Sequence, residues 1–213
     1  MTTLVLIRHG ESEANRQGIF GGQIDPDLQN RGARQAEATA KFISENYKVD
    51  KIYSSDLTRA YKTAKALADI LGLEIIKDEK LREIYAGKWE GVTFSDLTVK
   101  YKEDYDVWLH HIGKAVCTDG ESVKELGERV MGEITRIAKE NDGKTVAIAT
   151  HATPIRAVQS IIETNGVDEM ENIPWVTNAS VTVLEYDEGM WRITELSKDE
   201  HLGELRTALP KNV

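Results

Sequence analysis

The sequence is poor in cysteine, in proline and in long apolar stretches. Its single cysteine, Cys117, cannot form an internal disulfide, which fits a reducing compartment. No apolar run approaches the ~20 residues that a membrane-spanning helix needs. The first residues also lack the charged segment and the long apolar segment of a secretory leader. We therefore expect a cytoplasmic protein with no membrane partner. With four prolines and no Pro/Gly-rich or low-complexity linker, residues 1–213 are expected to form a single domain.

The chain also lacks an excess of positive charge. It has 27 lysines and arginines against 36 aspartates and glutamates, a formal net charge of −9. This balance argues against a nucleic acid or an anionic membrane as partner, although a local cationic pocket could still bind phosphate. The sequence has no spaced Cys/His cluster and no compact set of carboxylates around its candidate site, so we expect neither a metal nor another cofactor.

Two histidines lie at matching positions behind strand-like apolar runs. Residues 4–7 (LVLI) lead into Arg8-His9-Gly10, and residues 144–149 lead into Thr150 and His151. Thr153 is predicted to cap a helix that begins at Pro154, a favourable pair of residues for a helix start. In open α/β sheets, ligands bind at the carboxyl edge of the strands, and a helix N-terminus there favours anions. Two imidazoles and an arginine at one edge indicate a phosphoryl group bound without metal.

Strand-like and helical patterns alternate along the rest of the chain. Apolar residues recur at helical spacing over residues 33–47, 60–71, 123–137 and 155–162. Ser55 and a capping box of Ser122 and Glu125 predict helix starts, and Gly72 predicts a helix end. Residues 180–186 and 190–196 flank a turn and predict a hairpin. This alternation predicts an α/β fold, a three-layer α/β/α sandwich whose mostly parallel sheet carries an antiparallel edge strand.

Residues 88–119 interrupt the alternation with many aromatic side chains. We interpret this segment as a cap over the active site that sets substrate choice, because long insertions beside a site are often functional. The alternative is an excursion that only completes the core. For Trp89 and Tyr85, a core position and a substrate contact both remain open.

Residues 6–15 (LIRHGESEAN) resemble the signature of the histidine phosphatase superfamily, also called the phosphoglycerate mutase-like family. The resemblance covers nearly the whole chain in the expected order, through residues 22–25, 54–60, 81–91 and 150–151. It implies a phosphoglycerate mutase-like fold and a phosphohistidine intermediate. It also implies that Arg59, which could otherwise be a solvated surface charge, and Glu83, one of many acids, belong to the site.

Phosphoryl transfer needs an in-line nucleophile and positively charged or hydrogen-bonding groups that neutralise the charge on the equatorial oxygens, and this sequence can supply both. His9 would be the nucleophile, and Glu83 would protonate the leaving oxygen and then activate water. The remaining predicted phosphate ligands are the forks of Arg8 and Arg59, a protonated His151, Asn15, Gly22 and Ala152.

Three functions stay open for such a site. The first is a phosphatase for small phosphorylated metabolites. The second is a phosphoglycerate mutase, and the third is a non-catalytic domain that binds a phosphorylated ligand. The resemblance implies that mutases carry paired arginines in the segment after the catalytic acid, whereas residues 88–119 contain four lysines and no arginine. We therefore predict a phosphatase, as a monomer or homodimer.

Overall fold

The computed structural model describes residues 1–209, which contain a six-stranded sheet in the order β3-β2-β4-β1-β5-β6. The strands are β1 (Thr2–Arg8), β2 (Lys51–Ser54), β3 (Ile75–Lys77), β4 (Thr145–Thr150), β5 (Val181–Asp187) and β6 (Met190–Lys198). β1 to β4 pair in parallel, whereas β5 runs antiparallel to β1 and β6 antiparallel to β5. The prediction of a mostly parallel sheet with antiparallel pairing at one edge is confirmed, with both hairpin strands at that edge.

The central strand β1 is buried on both faces, which explains its unbroken apolar run. Leu4 and Leu6 face one apolar cluster, and Val5 and Ile7 face the other. Helices α2 (Asn30–Asn46) and α3 (Thr58–Leu71) cover the second face, while α6 (Val123–Glu140) and α7 (Ala152–Thr164) cover the first. The three layers of the predicted sandwich are therefore present.

Helix ends agree with the sequence patterns at some positions and differ at others. The capping box of Ser122 and Glu125 opens α6, and Gly72 ends α3 in the left-handed region with φ of 66°. The two other predicted starts were wrong. α3 begins after Leu57, although the Ser55 hydroxyl accepts from the N–H of Leu57 at 3.4 Å and also bonds a histidine of the site. α7 begins at Ala152, two residues before Pro154. A proline is tolerated there because the first-turn N–H groups have no intrahelical partner.

The segment over residues 88–119 is largely helical. It contains α4 (Phe94–Lys100) and α5 (Lys102–His110), with short 3-10 turns before and after them at Gly87–Trp89 and Ile112–Lys114. α1 (Glu13–Gln17) follows the first strand, and three more 3-10 turns lie at Glu79–Leu81, Met170–Asn172 and Glu200–Leu205. Within residues 1–209, no helix combines the length and apolar character needed to cross a membrane.

Candidate active site

The register of the two central strands brings the two histidines together. β1 and β4 are parallel neighbours in which Arg8 pairs with Thr150, and each histidine follows directly on its strand. The ring centroids of His9 and His151 consequently lie 5.1 Å apart, edge to face. Both side chains are buried at the carboxyl edge of the sheet, where the sequence placed them.

Hydrogen bonds determine which nitrogen of His9 is free to react. Its Nδ1 lies 2.7 Å from the carbonyl oxygen of Gly10, which can only accept, so Nδ1 carries the proton. The Nε2 atom therefore keeps its lone pair, and it accepts from Nε of Arg59 at 3.3 Å. The backbone of His9 is held as well, since its N–H donates to Thr150 and its carbonyl accepts from Nδ2 of Asn178 at 3.1 Å.

Burial and nearby arginines favour the neutral form of both imidazoles. Desolvation is the largest cause that lowers the pKa of His9 well below 6.5, and Arg59 and Arg8 lower it further. Burial and Arg59 likewise lower the pKa of His151. Burial and the neighbouring cations therefore disfavour the protonated His151 that we expected, and its protonation beside a bound phosphate stays a prediction. A dianionic phosphate would favour its protonated form.

Arg8 and Arg59 are both buried and both partly bound by backbone carbonyls. Arg59 donates through its two Nη atoms to the carbonyls of Gly22 and Ile24, at 2.7 and 2.8 Å. Arg8 donates Nη1 to the carbonyl of Val176 at 2.5 Å, and its buried Nε has no partner in the described chain. Each guanidinium has five N–H groups, so donors remain for an anion, and bidentate binding of phosphate by these two arginines stays a prediction. Burial lowers the pKa of Arg8 to about 10, which leaves it charged at neutral pH.

The carboxyl group of Glu83 faces the same pocket. Its Oε1 accepts from the N–H of Ile84 at 2.8 Å, and its Oε2 accepts from the N–H of Thr153 in the first turn of α7 at 3.3 Å. Burial raises its pKa above the ordinary 4.5, against the weaker opposing effect of these N–H groups and of Arg59. A carboxylic acid whose pKa is raised keeps its proton to higher pH than an exposed one and is suited to protonating a leaving group.

Asn15, Gly22 and Ala152 all line the pocket as predicted. The Oδ1 atom of Asn15 receives hydrogen bonds from Ser12 and from Nδ2 of Asn178, so the donor end of the amide is left for a ligand. Gly22 has φ of 50°, and a Cβ there would lie 2.5 Å from a carboxylate oxygen of Glu90. Its position therefore requires glycine.

Gly10 lies where the loop behind His9 packs closely on α2. A Cβ on Gly10 would meet the carbonyl oxygen of Gly32 in α2 at 2.4 Å. The glycine thus allows the loop behind His9 to pack directly on the helix backbone, which supports the histidine from below.

Away from the phosphate-binding end, the pocket is lined by aromatic side chains. Phe20, Phe94, Trp108 and Trp175 form what we call the aromatic wall, and Leu209 lies beside it. Phe94 and Trp108 come from the segment 88–119. Neither Trp89 nor Tyr85 is among the lining residues, since Trp89 is fully buried in the core and Tyr85 is about half exposed. Trp89 therefore takes the core position of the two that were open.

Sequence reasoning missed several residues that hold the site together. Asn178 bridges His9 and Asn15, and it carries no motif. Ser55 bonds Nε2 of His151 at 2.9 Å, although we had predicted a helix cap for it. Arg129 on α6 donates to the carbonyls of Lys80, Arg82 and Glu83, and it pairs with Glu121. These bonds hold in place the loop segment that carries Glu83. The sequence pattern indicated only that Arg129 lies on a helix.

Cofactor binding has little support from the side chains. Over residues 1–209, no group of three or more His, Cys, Asp and Glu side chains is arranged to hold a metal ion. Whether the reaction needs a metal stays a prediction, and an experiment below tests it.

The chain belongs to the histidine phosphatase superfamily (branch 1), whose family model matches residues 4–199. Paired histidines with two arginines and a glutamic acid at one sheet edge agree with that membership. The predictions of the superfamily, of its fold and of a phosphatase are confirmed, whereas the residue roles stay predictions.

Particular relatives point to phosphatases. The chain is 36% identical to phosphoserine phosphatase 1 of Hydrogenobacter thermophilus, over 96% of each chain. It is 31% identical to a metal-independent phosphoserine phosphatase of Arabidopsis thaliana, over 95% of this chain and 84% of that one. The solved structure of Bacillus stearothermophilus YhfR superposes with a TM-score of 0.90 at 27% identity, over 95% of this chain and all of the other.

Proposed function

We propose that this protein hydrolyses small phosphomonoesters through a phosphohistidine on Nε2 of His9, without a metal. The observation that carries the proposal is the tautomer of His9. Its Nδ1 proton is held by the Gly10 carbonyl, so Nε2 is unprotonated, and its lone pair accepts only a 3.3 Å hydrogen bond from Nε of Arg59, which is given up when Nε2 attacks phosphorus. A neutral, oriented imidazole is the form that attacks phosphorus.

In the first step, Nε2 of His9 attacks phosphorus and the bond from phosphorus to the ester oxygen breaks. Glu83 gives its proton to that oxygen, so the leaving group departs as a neutral alcohol. The raised pKa of Glu83 supports this role because the acid form persists above pH 4.5.

In the second step, the carboxylate of Glu83 takes a proton from water, and the water oxygen attacks the phosphorus of the phosphohistidine. The bond from phosphorus to nitrogen breaks, and inorganic phosphate leaves. Glu83 and His9 return to their starting protonation states, so one pocket serves both halves of the reaction.

The remaining donors would stabilise the charge on the transferred phosphoryl group. The uncommitted N–H groups of Arg8 and Arg59 and the amide of Asn15 surround the position beside His9. Nδ1 of His151 is buried and has no partner in the described residues, so a proton taken up with the dianion could be shared with phosphate. Arg8, Asn15, Gly22, Arg59, His151 and Ala152 are thus proposed as the phosphate site.

Three further expectations remain proposals. Residues 88–119 act as a cap, supported by the two aromatic residues that they contribute to the pocket. The protein works in the cytoplasm, supported by the buried free thiol of Cys117. Its partner is a small phosphorylated metabolite, in agreement with the relatives' names, and the protein is a monomer or homodimer.

The test is a rapid quench of the enzyme with a labelled phosphomonoester. Acid-labile label on the wild type, absent from a folded His9→Ala variant that also lacks turnover, is the expected result. A folded His9→Ala variant with the wild-type rate would overturn the mechanism. A wild type that binds phosphate but releases none from any ester would favour the non-catalytic domain.

A parallel assay separates the phosphatase from the mutase. We expect net phosphate release, with negligible exchange between 2- and 3-phosphoglycerate even when 2,3-bisphosphoglycerate is added. Exchange much faster than release would establish the mutase instead.

A further inference from the structure

The pocket lining has two chemically different parts. The two arginines that line it, within residues 1–209, both adjoin His9, where the phosphoryl group would bind. The other part is the aromatic wall of Phe20, Phe94, Trp108 and Trp175, together with Ala14, Ile19 and Leu209. None of these seven side chains carries a charge, and the buried Nε1 of Trp108 has no hydrogen-bond partner within the described residues. The part of the substrate beyond the ester oxygen therefore meets a largely apolar surface.

The aromatic wall is built as a packed unit. The rings of Phe20 and Trp108 meet edge to face, with their centroids 5.1 Å apart. The ring centroid of Phe94 lies 6.2 Å from that of Phe20, and the ring centroid of Trp175 lies 6.3 Å from that of Trp108. Interlocked rings of this kind present a fixed surface, which favours a flat or extended apolar ligand over a hydrated one.

A nearby cation does not change this character. Arg156 on α7 lies with its guanidinium 4.3 Å from the ring centroid of Trp175, and it is not among the residues that line the pocket. It is buried, and its Nε donates to the carbonyl of Ile173 at 2.6 Å. Arg156 therefore holds Trp175 in place and is not presented to the pocket.

We infer that the leaving group of the preferred substrate is an uncharged, largely apolar alcohol, bound against the aromatic wall. A substrate with a carboxylate, such as phosphoserine or phosphoglycerate, would have to desolvate that charge against rings with no cation to receive it, which is costly. Phe94 is the specificity-determining residue that the structure assigns, because it is partly buried and closes the wall from the segment 88–119. The inference rests on the proposed phosphatase function.

The test compares three esters of primary alcohols, so that leaving-group reactivity stays similar. These are O-phosphoserine, n-propyl phosphate, which is close in size and uncharged beyond the phosphate, and 2-phenylethyl phosphate, which adds a ring. Release of phosphate gives kcat/KM for each. We expect kcat/KM for n-propyl phosphate to exceed that for phosphoserine. The kcat/KM for 2-phenylethyl phosphate should exceed that for phosphoserine by at least about tenfold, because more apolar area is buried.

A substitution at Phe94 tests the assignment of the residue. Phe94→Arg places a cation at the wall and should raise the ratio of phosphoserine to 2-phenylethyl phosphate by about tenfold, through a charge-assisted hydrogen bond. Val99→Arg adds the same charge to the same helix at a position that is 79% exposed, and it should leave the ratio unchanged. An equal change in both variants would refute a role for Phe94.

The outcomes distinguish this inference from the function beneath it. If all three esters are hydrolysed and phosphoserine is preferred in the wild type, the inference is overturned while the phosphatase stands. If no ester is hydrolysed by the folded wild type, the proposed function fails, and the inference fails with it.

Discussion

Replacement of Glu83 by glutamine isolates proton transfer from the rest of the proposed mechanism. The amide keeps the size of the side chain and one acceptor oxygen, but it carries no acidic proton. In the wild type, both carboxyl oxygens accept from backbone N–H groups, of Ile84 and of Thr153. The amide oxygen can satisfy one of these groups, so we expect a folded variant whose pocket is intact apart from one lost hydrogen bond.

The expected loss follows from the role of the acid. General acid catalysis contributes about 10²–10⁴-fold, so kcat/KM for alkyl phosphates should fall by that factor. This range corresponds to roughly 2.7–5.5 kcal/mol of activation free energy, at 1.36 kcal/mol for each factor of ten. Aryl phosphates with good leaving groups need little protonation in the transition state and should lose much less.

The assay measures kcat/KM for a series of alkyl and aryl phosphates in both proteins, and thermal unfolding confirms that the variant is folded. We expect kcat/KM to fall more steeply with the pKa of the leaving group in Glu83→Gln than in the wild type. Equal losses on alkyl and aryl esters would remove Glu83 from the acid role and leave it a structural part of the pocket.

The pH dependence of stability gives an independent measurement on the same residue. Burial raises the pKa of Glu83 in the folded state above 4.5, so the folded chain keeps this proton to higher pH than the unfolded chain does. Its contribution to stability is therefore present below pH 4.5 and is lost as the pH rises through the raised pKa. The glutamine variant should lack this loss.

Three further perturbations probe other parts of the site. Asn178→Ala removes one of two donors to the His9 carbonyl, the other being the N–H of Ala179, and removes a donor to Asn15. It also leaves the buried Thr207 hydroxyl without its acceptor. Unfolding in urea should show a loss of about 1–3 kcal/mol together with a lower kcat, and an unchanged kcat would contradict the positioning of His9 through Asn178. Dialysis against EDTA should leave activity intact, and a loss that Mg²⁺ or Zn²⁺ restores would contradict the metal-free mechanism. Because the folded pKa of His9 lies below 6.5, its contribution to stability is lost as the pH falls below 6.5. His9→Asn should therefore lose less stability than the wild type over that range in urea titrations, and identical pH slopes would refute the buried neutral imidazole.

Local patterns were enough to place the two histidines at one edge of the sheet. Each follows an apolar run, and parallel strands with helical connections bring their carboxyl ends to the same side. The capping box of Ser122 and Glu125 was equally visible, because both of its hydrogen bonds join residues three apart. Arg59 and Glu83 needed the resemblance to a family, since a single arginine or glutamate looks the same in a sequence whether it is buried or solvated.

Long-range contacts decided what those patterns could not. Asn178 reaches His9 across 169 positions of sequence, and Ser55 reaches His151 across 96. Burial, which lowers the pKa of His151 and raises that of Glu83, likewise comes from elements that are distant along the chain. The same holds for the aromatic wall, whose rings come from three separate segments. Strand and helix periodicity reflects interactions over a few residues, whereas protonation and specificity depend on which surfaces pack around a group once the chain has folded.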